Sequence, residues 1–413
     1  MHTFVPKAFP THAQYQDHNQ WLVKHLGENE ELLLAIVTLG ATCYVSKAGR
    51  RAISLVPKNL DHGALSARDA IGFMQIAIKQ LQTAIMLPQA RQSSAVLYSV
   101  ACLTLAEVLA DNGPAVQLHA TALRHLLASS RISDDIPTHV LHAVIMTYYI
   151  ACAISGERPI SLPTPILQVA EPSLQLKPSV LHNSQFQVAK LGLAFFSLDM
   201  QTILGPELTN AFQSMRTFTL WKEQHYSDCP QVGPDEFNYF HSWCWNSLHL
   251  VLGLPYQEAS LQGNDDRKGS LREPCRIALL VFWLSITELH NPGSMIYRTL
   301  ALRLKSALQR CPSEPPAWTD SNMAVFWLLL LGASITDGQD EYHWFLTGIA
   351  EEMRRRDNSL SWEVIENVVA RFLYMEKLFR AGFKDAWDRA VQLRKWHEGC
   401  YCGDDFCRRV YDR

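Results

Sequence analysis

The sequence predicts an all-α fold, a large irregular multi-helix bundle of two packed helical halves. Three observations carry this expectation. Apolar residues recur at steps of three and four, as Ile71, Met74, Ile78, Leu81 and Ile85 do, which gathers them on one helical stripe. No useful length of the chain alternates with the period of two that a half-buried strand needs. Five prolines fall between Pro159 and Pro178, too many for a helix interior or a central strand, so this stretch reads as a connection between two helical runs.

The elements follow in order. "LLLAIVTLGATCY" opens the helical region, and the Ile71 stripe should end near Leu87, because Pro88 disfavours helical geometry in the residue before it. Ser93 or Ser94 can cap the next helix, "AVLYSVACLTLAEVLA", whose few polar positions imply burial on several sides. The turn "DNGP" ends it, and Pro114 suits the start of a third helix running to about Leu127. A fourth, "THVLHAVIMTYYIACAI", follows Asp134 and Asp135 and meets Gly156 as its C-cap. Downstream, helices are expected over Ser184–Leu204, Pro206–Gln224, Pro234–Leu252, Arg272–His290, Ser294–Arg310, Asn322–Ile335 and Glu341–Arg356. Two more should cover Ser361–Phe379, with Ile365, Val368, Phe372, Met375 and Phe379 on one stripe and Gly382 just past its end, and Lys384–His397. The organisation expected is an N-terminal extension (1–29), a first helical half (30–156), the proline-rich connection (157–183), a second half (184–398) and a cysteine-containing tail (399–413).

With 413 residues the chain is long enough to bury a sizeable core. Apolar residues make up 48% and charged residues 19%, a globular balance, and a net charge of −3 gives no overall positive field toward nucleic acid or an acidic membrane. The apolar run Met323 to Ile335 is shorter than the roughly 20 residues that cross a bilayer, so it reads as a buried helix. The first residues lack a basic stretch followed by an apolar one, so no secretory signal is expected and the protein should stay inside the cell. There, Cys43, Cys102, Cys152, Cys229, Cys244, Cys275 and Cys311 read as small hydrophobes rather than disulfide partners.

Catalytic signatures are missing at the level of spacing. None of the aspartate pairs (Asp134-Asp135, Asp265-Asp266, Asp404-Asp405) has a third carboxylate one turn on to grip a divalent ion. "GNDDRKGS" lacks the spacing of a phosphate-binding loop, "GASIT" at Gly332 sits in an apolar helix rather than a nucleophile elbow, and His397-Glu398 is not followed by a second histidine at metalloprotease spacing. No catalytic, cofactor-binding or metal residue is therefore assigned. His119 and His125, and His139 and His142, read as helix-surface or hydrogen-bonded core histidines. The arginines of "EEMRRRDN" complement their own helix dipole and read as a solvated helix end, while "KAGRR" (Lys47–Arg51) follows the opening helix. Phe195, Phe196, Trp243, Trp245, Phe282, Trp283 and Trp327 read first as core packing and second as the lining of an effector pocket.

"KWHEGCYCGDDFC" brings His397, Cys400, Cys402 and Cys407 together, a donor set that zinc accepts. The C-x-C spacing gives a tighter bite than the two-residue gap of common structural sites, and Asp404 and Asp405 disfavour thiolate, so an uncommitted terminal cap is the leading reading.

Taken together, three stretches resemble the regulatory domain of fungal-specific transcription factors, the helical region that follows a binuclear zinc cluster in that family. "LLLAIVTLGATCY" with "DAIGFMQIAIKQLQTAI" is similar to its opening helix pair. "SAVLYSVACLTLAEVLADNGPAVQLHATALRHLLASS" resembles its apolar helix, short turn and following helix. "MAVFWLLLLGASITDGQDEYHWFLTGIAEEM" resembles its late buried helix and aromatic successor. The resemblance implies a nuclear regulatory module rather than an enzyme, working through protein partners (transcription machinery or a DNA-binding relative) or a small-molecule effector, with no membrane attachment. It departs from the family in one respect. The cluster needs six close cysteines, and this chain has none before Cys43 and only one before Cys102, so no direct DNA binding is expected of it. A helical scaffold unrelated to transcription and an unrecognised helical enzyme stand as alternatives. Elemental analysis of purified protein should find well under one zinc per chain; stoichiometric zinc that is lost in Cys400→Ser/Cys402→Ser would make the tail a metal site.

Overall fold

The computed structural model describes residues 12–52, 66–87, 93–129, 138–160, 190–228, 245–254, 271–287, 294–311, 319–356 and 360–399. It is an all-α multi-helix bundle, with no strand among the described residues. The helices are α1 (His12–Leu26), α2 (Glu30–Ala52), α3 (Ala67–Ile85), α4 (Ser94–Leu109), α5 (Gly113–Ser129), α6 (Thr138–Ser155) and α7 (Leu198–Asp228). They continue as α8 (245–253), α9 (Arg272–Thr287), α10 (Met295–Gln309), α11 (Asp320–Ile335), α12 (Asp340–Arg356), α13 (Trp362–Val369) and α14 (Glu376–Gly399). Two compact units are present. One comprises Met1–Leu176, Thr217–Pro255 and Trp283–Leu300, the other Lys177–Arg216, Tyr256–Phe282 and Ala301–Arg413. Each unit thus gathers separate stretches of chain.

In the first unit α4 is the hub. Every residue from Ala95 to Val108 except Tyr98 is buried, as its apolar surround requires. Helices α2, α3, α5 and α6 pack on it, and α2 also packs on α3. Its hydroxyls are satisfied within the helix, Ser99 Oγ donating to the Ala95 carbonyl and Thr104 Oγ1 to the Val100 carbonyl, each at 2.7 Å. Ser93 is the cap: its Oγ accepts from the Ala95 N–H at 3.2 Å. At the other end Asp111, not a glycine, takes the left-handed conformation (φ 63°), and the Asn112 N–H reaches back to the Glu107 carbonyl at 3.0 Å. Gly113, expected in the turn, is instead the first residue of α5. Gly156 closes α6 at φ 75° as expected, its N–H on the Cys152 carbonyl at 2.8 Å.

The α3 stripe differs from expectation by one position. Ala70, Met74, Ala77 and Leu81 face the core, while Ile71 is exposed and Ile78 and Ile85 are half-buried. Alanines on the contact face let α2 come close, and the larger isoleucines are left at its margin. Helix α1 falls in the expected N-terminal extension, its Trp21 ring edge-on to Tyr98 at 5.5 Å. "KAGRR" lies within the end of α2, not after it.

In the second unit α11 is the hub, buried from Ser321 to Leu331 apart from Val325 and packed by α12, α13 and α14. Trp327 stacks on Phe372 (5.6 Å, 12°), and Phe195 stands edge-on to both rings while stacking on Phe212. The expected helix Ser361–Phe379 is broken here. Residues 370–375 form a turn between α13 and α14, and Phe372, Leu373, Tyr374 and Met375 are all buried. Four consecutive buried side chains do not fit one helical stripe. The turn carbonyls bond outward instead: Phe372 O accepts from Gly192 N, Arg371 O from Ala194 N and Leu373 O from Trp327 Nε1. Gly382 consequently lies inside α14.

The expected helix Ser184–Leu204 is also revised. Its first six residues lie outside the described residues, and a 3-10 turn (Leu193–Phe196) entered through Gly192 at φ 73° precedes α7. Within α7, Gly205 (φ 74°) and Pro206 break the helix where the sequence places the boundary. Arg272 Nε donates to the Ile203 carbonyl beside this break. Asp199 then ties two helix starts together. Its Oδ1 accepts from Ser197 Oγ at 2.6 Å at the head of α7, and its Oδ2 from the Ser321 N–H at 3.1 Å at the head of α11.

A methyl group on Gly332 would overlap the buried Phe345 ring, whereas one on Gly40 in α2 would meet open space. Gly332→Ala should therefore cost about 1–3 kcal/mol in denaturant unfolding, and Gly40→Ala should stabilise by about 0.5–1 kcal/mol.

Candidate functional site

Helix α6 is apolar on almost every side, so the tyrosines at its centre need partners for their hydroxyls. Adjacent helical positions point about 100° apart, and Tyr148 and Tyr149 therefore serve two directions from one place. Toward α8, the Tyr149 hydroxyl meets His249 Nδ1 at 3.2 Å. The His249 ring lies 5.8 Å and the Trp245 ring 6.1 Å from Tyr149, and Trp245 stands edge-on to Trp283 of α9 at 5.3 Å. Toward the chain leaving α6, the Tyr148 hydroxyl accepts the Ile160 N–H at 3.0 Å. Arg124 of α5 donates Nη2 to the Arg158 carbonyl at 2.9 Å and pairs with Glu157 at 2.8 Å. The Cys152 thiol lies one turn along α6 from Tyr148.

Burial sets the electrostatics of this cluster. It pushes the Cys152 thiol up to about 12, against the hydrogen bond from Tyr148 and the Arg124 charge, so the thiol stays protonated and is no nucleophile. Burial raises both tyrosines and lowers His249, which is neutral at pH 7 with a nitrogen free to act as acceptor. Hydrogen bonding, rather than proton transfer to a poised nucleophile, is the chemistry these groups offer.

The aromatic residues singled out in the sequence do not converge on one place. Trp245 and Trp283 belong to the first unit, and Phe195, Phe282 and Trp327 to the second; all five are buried and in ring-to-ring contact. Phe196 is half-buried, and Trp243 lies outside the described residues. His119 is half-buried, its basicity lowered by burial, and His125 is exposed. His142 is half-buried, and the side chains of His139 and His397 lie outside the described residues, as do Cys400, Cys402, Cys407 and the three aspartate pairs. Among the described residues no three His, Cys, Asp or Glu side chains are grouped to hold a metal ion. No described helix is long and apolar enough to cross a membrane. Of the single cysteines, Cys102, Cys152 and Cys275 are buried, Cys43 and Cys311 half-buried, and Cys229 and Cys244 lie outside the described residues.

The arginine run is only partly the solvated helix end expected. Arg354 is exposed and Arg355 pairs with Glu352 at 3.0 Å, but the Arg356 side chain is buried, bonding Glu352 and the Asn322 carbonyl, each at 3.0 Å. Sequence reasoning passed over Arg124, Tyr148, Tyr149, Glu157 and His249. The available signal was an arginine and two tyrosines inside otherwise apolar helices, polar groups that need a partner once buried.

Comparison of the chain with protein-family models, curated proteins and solved structures finds no match.

A histidine whose basicity is lowered by folding binds fewer protons than the same residue in the unfolded chain. Its share of stability is complete above the unfolded value of 6.5 and is lost as pH falls through that value toward the folded one. His249→Phe should therefore flatten the fall of Tm between about pH 7.5 and pH 5 relative to wild type, as followed by calorimetry. A fall of equal slope in both proteins would assign the pH dependence to other groups.

Proposed function

We propose that this chain is a transcription-regulator-like helical regulatory domain without a DNA-binding zinc cluster in its own sequence. It acts in the nucleus through protein contacts or a small effector, and not as a catalyst. The observation that carries the reading is the order and wording of the three stretches quoted above, framing most of the chain from about residue 30 to about residue 383. The all-α architecture is what that resemblance calls for. The stretches fall on consecutive helices, α2 with α3, α4 with α5, and α11 with α12. Among the described residues Cys43, Cys102, Cys152 and Cys275 lie on four different helices and Cys311 just past the end of a fifth, which is why DNA contact is assigned to a partner rather than to this chain.

Ring-to-ring packing of the aromatic residues favours protein partners over an effector held among those rings. The test is to fuse the chain to an unrelated DNA-binding domain and read a reporter gene in fungal nuclei. The expected outcome is a several-fold change in transcription relative to the DNA-binding domain alone. A fusion that is stable and bound at the promoter, yet leaves the reporter unchanged, would refute the reading.

A further inference from the structure

The contacts made by the chain immediately after α6 differ in kind from those of the helices around them. Residues 157–160 have no helical bonds of their own. They are held by side chains: Ser155 Oγ accepts the Glu157 N–H at 3.3 Å, Arg124 takes the Arg158 carbonyl and the Glu157 carboxylate, and Tyr148 takes the Ile160 N–H. The two main anchors flank Pro159, whose ring fixes its own φ and biases Arg158 to extended geometry. Little backbone freedom is then lost on closing, and one anchor positions the other.

We propose that residues 157–160 form a strap closed on α5 and α6 by Arg124 and Tyr148, and that it opens as one cooperative unit while both helices stay folded. The helices do not depend on it, because each of these strap bonds ends on a side chain of the helices and none belongs to their i to i+4 ladders. The strap is a local opening event of the kind that separates a low-stability segment from a stable core. Its ion pair is about one-third exposed (33% for Arg124 and 28% for Glu157), so salt weakens one anchor directly.

Residue-resolved amide hydrogen exchange on the full chain tests this with Arg124→Gln, Tyr148→Phe and the double variant. Each single change should speed exchange at Ile160 about tenfold, the equivalent of one hydrogen bond. The double variant should be little faster than either, with Leu123 in α5 and Ile150 in α6 unchanged. Additive effects of the two changes would overturn cooperativity. Unchanged Ile160 exchange in Arg124→Gln, or helix amides that accelerate in step with Ile160, would overturn the strap itself.

Discussion

Helices α4 and α11 have almost no solvent face, and covering them is the constraint that organises each unit. A helix that is apolar all round is stable in water only when neighbours cover it on every side, and its burial supplies more free energy than its intrinsic propensity does. In the first unit the cover is α2, α3, α5 and α6. In the second it is α12, α13 and α14, and the turn at 370–375 brings Phe372 onto Trp327. Close approach then depends on small residues where a large one would collide, as at Gly332 beneath Phe345 and at Ala70 and Ala77 of α3.

Covering an apolar helix leaves its few polar atoms with no water to turn to, and the structure answers in three ways. Hydroxyls of α4 bond back to their own helix. The Trp327 indole bonds a turn carbonyl, satisfying donor and acceptor together. The tyrosines of α6 reach outward, one to His249 and the other to the chain that follows the helix. Glu107 is the costly case. It is buried at the end of α4 with the Asn112 amide on its carboxylate at 2.8 Å, and burial raises its pKa despite that bond.

Helical identity was legible because the spacing of apolar residues is a local property. Ser93, Gly156 and the Gly205–Pro206 break were readable for the same reason, since caps and breakers act on their immediate neighbours. What escaped was decided at a distance. The run from Ile365 to Phe379 has a helical stripe, yet its middle is a turn because three of its carbonyls are taken by Gly192, Ala194 and Trp327. The stripe on α3 was read one position off, because periodicity locates an apolar face but not which edge of it a neighbour covers. The Tyr148 and Tyr149 cluster was invisible for a related reason: its partners come from α5 and α8, at sequence separations that no local pattern encodes.

Asp199 has a consequence for the order in which the chain acquires its structure. Its partner at the head of α11 lies 122 residues further along the sequence. At a synthesis rate of about 5–20 residues per second, the carboxylate waits on the order of ten seconds for Ser321 to be made. During that interval it can serve only the nearer helix, so the second unit matures from a partly capped nascent form, and completing it is a late, long-range event in biosynthesis.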